Sequence, residues 1–313
     1  MSTPIILSSY PLSPAHAQWD PTLEAELLPA LFALPGVTGL EVPWVDGLHP
    51  HDEAWFLAHV PAGAQLALTA IPWVMKSCAA DASYGIASPD ETGRAKALTD
   101  LRRVAADVAR VRAESAASVA IVTLHSAPQN AAAYGQDSID ALARSLAEIA
   151  SWDWSGAQLV IEHCDAFVAG QAGEKRFLSM AAELEAIEAS KAPVGMWINW
   201  GRSAIELQDA DAVTAQIADA AASGHLAGLA FSGASAVSGA YGPAWLDAHL
   251  PIAETFPESE SLLDAAHVSA ALAAAGDVPW LSVKVARRPD DVTVDAIMAT
   301  AERNLAVVHA AAR

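Results

Sequence analysis

The chain has 313 residues, 53% of them hydrophobic, which is enough for one large core and too apolar for a disordered chain. Its 17 basic and 37 acidic residues leave a net charge of −20. No run of Lys and Arg supplies the footprint that a phosphate backbone requires, so no nucleic-acid partner is expected.

No apolar stretch approaches the ~20 residues that cross a bilayer. The amino terminus carries no basic leader before its apolar run, and two cysteines make neither a disulfide framework nor a metal-finger spacing. A cytoplasmic protein without a membrane partner is expected.

Taken in chain order, strands are predicted over 5–9, 37–43, 65–73, 118–125, 158–162, 194–200, 226–232 and 280–285. Runs such as SVAIVTL and QLVIE are almost continuously apolar, as in strands covered on both faces. Helical patterns fill the gaps. Asp20 with Pro21 caps the first, TLEAELLPALFAL, and a shorter one follows His49. Ser88 opens a long helix, with Pro89 in its first turn and Glu91 at the capping-box position. Further helices are predicted over 137–150, 174–190, 209–222, 258–275 and 291–309.

Strict alternation of eight strands with eight helices predicts parallel strands, right-handed crossovers and a closed (β/α)8 barrel, with residues 1–313 as one domain. No Gly-rich nucleotide loop follows any strand. The connection 233–257, which carries Tyr241, Trp245, Asp247 and His249, is too long for a bare connector. It reads as a lid over the barrel mouth or as the arm of a homodimer, and Asp247-x-His249 has the spacing of a weak metal pair.

Barrel chemistry sits at the carboxyl ends of strands. The polar and aromatic residues there are Glu41 and Trp44 after strand 2, Trp73 after strand 3 and His125 after strand 4. Glu162, His163 and Asp165 follow strand 5, and Asn199, Trp200 and Arg202 follow strand 6. Ser232 ends strand 7, and Lys284 and Arg287 end strand 8. A charge at the end of a buried strand must be paired or solvated, so these groups are expected to converge. Neighbours on a strand alternate faces, so Glu162 and His163 are expected to diverge; both are kept as candidates. Ten tryptophans against six phenylalanines suggest indole platforms for sugar rings, chiefly Trp44, Trp73 and Trp200.

GVTGLEVPW, QLVIEHCDAF, VGMWINWGRS and WLSVKVARRP resemble, in order, strand-end motifs of the xylose isomerase-like barrel superfamily of sugar isomerases and epimerases. The resemblance implies a small-molecule carbohydrate as the partner. It also implies a divalent ion such as magnesium or manganese, held by acids on strands 5, 6 and 8 with a further ligand on strand 7. Glu162 matches the first of these. Asn199 stands for the strand 6 acid, Arg202 for its companion histidine, Ser232 for the strand 7 ligand and Lys284 for the strand 8 glutamate.

A hard cation needs several anionic oxygens, so no metal or other cofactor is expected, and the Lys284 ammonium is expected to take the ion's electrostatic role against Glu162. The expected activity is proton transfer at a carbon of a sugar or oxidised sugar. In that reading Glu162, Lys284, His125 and His163 are catalytic. Glu41, the tryptophans, Asn199, Arg202, Ser232 and Arg287 bind substrate. Cleavage of a glycoside by paired Glu41 and Glu162, or sugar binding without catalysis, are the alternatives.

Overall fold

The computed structural model describes residues 3–171 and 173–312; the ends of the predicted domain at 1, 2 and 313, and residue 172, lie outside the described residues. Eight parallel strands close into a barrel in sequence order, each paired with the next and β8 with β1. They are β1 (Ile5–Ser8), β2 (Val37–Pro43), β3 (Gln65–Thr69), β4 (Ser118–Leu124), β5 (Gln158–His163), β6 (Val194–Asn199), β7 (Leu226–Phe231) and β8 (Trp280–Val283). Around them, in chain order, run α1 (Pro21–Phe32), α2 (Glu53–His59), α3 (Ile71–Ala80), α4 (Glu91–Glu114), α5 (Gln136–Ala150), α6 (Met180–Ser190), α7 (Trp200–Leu207), α8 (Val213–Ala222), α9 (Ala265–Ala275) and α10 (Val294–Ala311).

The barrel interior follows from the two-residue period of a strand. Ile6, Ala67, Ile121, Val160 and Trp197 form an inner core of their own, apart from the larger one between strands and helices. Two residues further along the same strands stand Ser8, Thr69, Thr123, Glu162 and Asn199, all buried and all polar. The interior therefore changes from apolar to polar in one step along the strands, and the polar layer is the floor of the mouth. Gly228 makes the lower layer possible: a Cβ there would lie 2.0 Å from the Trp197 ring.

Several predicted boundaries shift for local reasons. Residues 70–73 and 200 leave their strands, because α3 begins at Ile71 with Pro72 in its first turn and Asn199 caps α7. Asp90, rather than Ser88, caps α4, accepting from the N–H groups of Thr92 and Gly93. The helix predicted from 174 starts at Met180, after Arg176 at φ 55 and the Ser179 cap. That predicted from 258 starts at Ala265, after Glu260 at φ 58 and the Asp264 cap. Among the described residues no helix is long and apolar enough to cross a membrane.

Candidate active site

Glu162 is the hub of the mouth. Its Oε1 accepts from Asn199 Nδ2 at 3.1 Å and from Lys284 Nζ at 3.2 Å. Its Oε2 lies 2.9 Å from Arg202 Nη1 and 3.4 Å from His125 Nε2. Lys284, one residue past β8, is kept in the barrel by the bond from its N–H to the Phe231 carbonyl, and its ammonium also donates to Glu41 Oε1 at 2.7 Å. Ser8 Oγ donates to the other oxygen of Glu41, and the Tyr10 ring lies 5.7 Å from the ammonium. One lysine thus bridges carboxylates from β2 and β5 across the interior.

Asn199 does two things at once. Its Oδ1 accepts from the N–H of Arg202 at the start of α7, while its Nδ2 binds Glu162. The cap that starts the helix therefore also aims Arg202 inward. Arg202 Nη1 further donates to Cys164 Sγ at 3.3 Å, and its Nε donates to Asp247 Oδ2 at 2.9 Å. Asp247 comes from the long connection after β7, and the same oxygen accepts from Lys175 Nζ at 2.9 Å. His249 Nδ1 lies 3.0 Å from Ser232 Oγ, and its Nε2 lies 3.4 Å from Tyr10 OH. The connection thus packs against the mouth through Asp247 and His249, and Glu162, Arg202, Asn199 and Lys284 are each at most 1% exposed.

Burial alone would raise the Glu162 carboxyl, but the charges of Arg202 and Lys284 outweigh it and hold the group well below the ordinary carboxylate range. For Lys284, burial is outweighed by Glu162 and Glu41, and the ammonium is held above its ordinary value. Burial pushes His125 down to about 4 against the pull of Glu162, so the imidazole is neutral at neutral pH. A neutral ring beside an anionic carboxylate places its proton on Nε2; Nδ1 is then an acceptor, and it is buried without a partner. The thiol of Cys164 is pushed far up by burial.

Structure and expectation part company at five residues. His163 is not in the mouth. It alternates outward from Glu162 into the helical layer, 2.7 Å from both Glu183 of α6 and Glu206 of α7. Those carboxylates overcome the effect of burial and raise it to about 10. Glu206 is thereby spent on His163.

Trp44 and Trp73 are not sugar platforms. Their indole N–H groups donate to Asp107 and Asp100 of α4, both at 2.8 Å, because each side chain lies between the strands and that helix. Trp200, fully buried, is turned away by the start of α7 and meets His267 of α9 at 5.4 Å. Arg287 spends Nη1 on the carbonyls of Arg288, Pro289 and Asp291 in its own loop.

By contrast, Glu41, His125, Glu162, Asn199, Arg202 and Lys284 are brought together, with Ser232 at the edge through His249. Sequence reasoning missed Ser8, Tyr10 and Lys175. Ser8 ends β1 and Tyr10 lies two residues past it, where LSSY carries the same apolar-to-polar change as the other strand ends. Lys175 had no such signal.

Among the described residues no group of three or more His, Cys, Asp or Glu side chains is arranged to hold a metal ion. At the positions where the resemblance places ligands, a divalent ion would meet the Lys284 ammonium and the Arg202 guanidinium, with both Glu162 oxygens already engaged. The residues present do not fit the ion.

Residues 6–299 match the family model described as Domain of unknown function (DUF4862). The Salmonella typhimurium (strain LT2) protein called "Uncharacterized protein STM3670" is 35% identical over 274 residues, 88% of this chain and 86% of that one. Among solved structures, an L-ribulose 3-epimerase superposes with a TM-score of 0.61 at 17% identity, covering 99% of this chain and 96% of its own. The IOLI protein, solved with a bound zinc atom, gives 0.62 at 14% identity over 99% of both chains. The Methylomonas sp. D-allulose 3-epimerase, in complex with D-allulose, gives 0.59 at 12% identity, covering 99% and 97%. These likenesses carry the fold alone: a closed (β/α)8 barrel, the fold of those sugar epimerases.

Proposed function

The chain belongs to the DUF4862 family, and from the chemistry of its mouth we propose that it moves a proton at a carbon of a sugar or sugar derivative without a metal ion. The observation that carries this reading is the Lys284 ammonium between Glu41 and Glu162, at 2.7 and 3.2 Å.

Isomerisation, epimerisation and β-elimination share one demand: a base beside the C–H and fixed positive charge where the enediolate oxygen develops. Glu162 is the base. In the closed state its four donors quench it, and a substrate hydroxyl or carbonyl that draws Lys284 or Arg202 away restores its basicity. Lys284 and Arg202 then stabilise the oxyanion, Asn199 holds the carboxylate in register, and neutral His125 carries the proton between oxygens. Glu41 keeps Lys284 charged and in place.

Glycoside cleavage fits less well. It needs one carboxyl held as the acid, yet Glu41 and Glu162 both accept from one ammonium, and Glu162 is driven toward the anion.

The test is exchange of carbon-bound hydrogen in D2O, followed by proton NMR over a panel of ketoses, aldoses and sugar acids, with protein treated with a chelator beforehand. Exchange that survives chelation and falls by ~10²–10³-fold in Lys284→Met supports the reading. One tightly held divalent ion per chain, with exchange lost on chelation, overturns it, and saturable sugar binding with no exchange would leave a binding barrel instead.

A further inference from the structure

Arg202 Nε, from the first turn of α7, and Lys175 Nζ, from the connection between β5 and α6, both end on the same oxygen of Asp247 at 2.9 Å. Both cations are buried, at 1% and 4% exposure, and the carboxylate they share belongs to the covering segment rather than to the barrel. Burial would raise Asp247, but His249, Lys175 and Arg202 hold it well below the ordinary range. Nearby Asp165 accepts at its Oδ2 from the N–H groups of Glu174, Lys175 and Arg176, while its buried Oδ1 has no partner. Glu174 faces Lys175 at 2.7 Å from the rim, a third exposed, and its other oxygen accepts from the N–H of Asp247.

On the proposed reaction the segment must lift for substrate to reach Glu162, and Asp247 would leave with it. Two flanking residues, Trp245 at φ 59 and His249 at φ 55, sit in the left-handed region that costs a non-glycine residue energy. Were the segment to open, one edge of a planar guanidinium and an ammonium would be left without their shared acceptor, in a site already shaped to a carboxylate. Arg202 reaches Glu162 with its other edge, so an anion on the Nε side places the adjoining carbons beside Glu162 and Lys284.

We infer that Arg202 and Lys175 form a carboxylate-binding subsite, that Asp247 occupies it as an internal stand-in, and that the substrate is a sugar acid, a uronate or aldonate. This rests on the proposed reaction for its placement of Glu162, but its own claim concerns binding. The sugar's carboxylate displaces Asp247, and the reacting carbon is the one next to the anchored group or one beyond it.

Calorimetric titration tests it without turnover, with glycolate, D-glucuronate and D-galacturonate set against ethylene glycol, D-glucose and D-galactose, and with inorganic phosphate as a separate arm. Carboxylates are expected to bind at least ~10-fold more tightly than their neutral counterparts, in line with charge-assisted hydrogen bonds to two buried cations. Asp247→Asn, which weakens the stand-in, tightens D-glucuronate or D-galacturonate several-fold, and Lys175→Gln removes the preference for carboxylates.

Equal affinity for acid and neutral sugar in both native protein and Asp247→Asn overturns the inference. So does weaker carboxylate binding in Asp247→Asn, which would make Asp247 a latch over the ligand, and so does phosphate outcompeting every carboxylate. Binding of sugar acids with no hydrogen exchange would refute the proposed reaction alone; exchange confined to neutral sugars would refute this inference alone.

Discussion

Lys284→Met tests the centre of the site through stability as well as rate. Methionine keeps the length of the side chain but leaves Glu41 and Glu162 facing each other inside the barrel without the ammonium at 2.7 and 3.2 Å. At an effective dielectric of ~20 each of those contacts is worth about 5–6 kcal/mol of gross attraction. Most of this is offset by the several kcal/mol needed to desolvate each ion, so removing one partner of such a buried set costs a net ~3–5 kcal/mol.

With about 2.1 cal/mol/K of unfolding entropy per residue over 313 residues, the melting temperature should fall by roughly 5–8 °C. The deficit also has a pH signature. Glu162 in the native protein is held below its ordinary 4.5, so its contribution is present above that value and is lost as the pH falls through the folded one. Lys284→Met removes one of the charges holding it down, so the gap between variant and native protein is widest above about pH 5 and narrows toward pH 4. Thermal unfolding at pH 8 and pH 4.5, with Lys284→Met/Glu41→Gln as a partial rescue, measures this. Equal melting temperatures at pH 8, or a deficit that is the same at both pH values, would refute the account of Lys284 as the counter-ion of two buried carboxylates.

Three further outcomes follow from the surroundings of the mouth. His163 is raised to about 10 by Glu183 and Glu206, so its contribution to stability is complete below its ordinary 6.5 and fades as pH rises toward the folded value. Denaturant unfolding between pH 7 and 10 should show native stability falling, with His163→Gln less stable at pH 7 and flatter across the range. Cys164, buried and with its thiol pushed far up, should resist alkylating reagents in the folded protein and react only after unfolding; labelling followed by mass spectrometry reads this out. Gly228→Ala should destabilise by about 1–3 kcal/mol, because the new methyl meets the Trp197 ring inside a closed barrel, and urea midpoints check it.

The architecture was legible in the sequence because strand and helix periods leave a residue-by-residue trace, and eight apolar runs ending in polar residues survive the loss of any single boundary. The inward set was legible for a related reason. Glu41, Glu162, Asn199 and Lys284 extend the alternation of their strands by one step, so the barrel has no other place for them. The tryptophans failed this test. Trp44 and Trp200 lie just past a strand end, where the chain turns, and alternation no longer fixes direction; the deciding fact for Trp44 and Trp73 was the acids on α4, more than 20 residues away. Asp247 shows the same limit from the other side. No local pattern announces that a carboxylate 45 residues beyond Arg202 will close on it.

What the strand ends do reveal is charge type, and charge type decides more here than position. A lysine where the resemblance places a glutamate is one side chain, yet it gives the mouth a fixed positive charge of its own. The acid opposite must then be anionic to keep that charge buried. From that pairing the low carboxyl of Glu162 and the raised ammonium follow, and so does the need for something to displace a cation before the carboxylate can act as a base. A substrate that brings its own negative charge would do so at Arg202 while leaving Lys284 bridged to Glu41. On the proposed reading, binding the acid group and freeing the base would be one step.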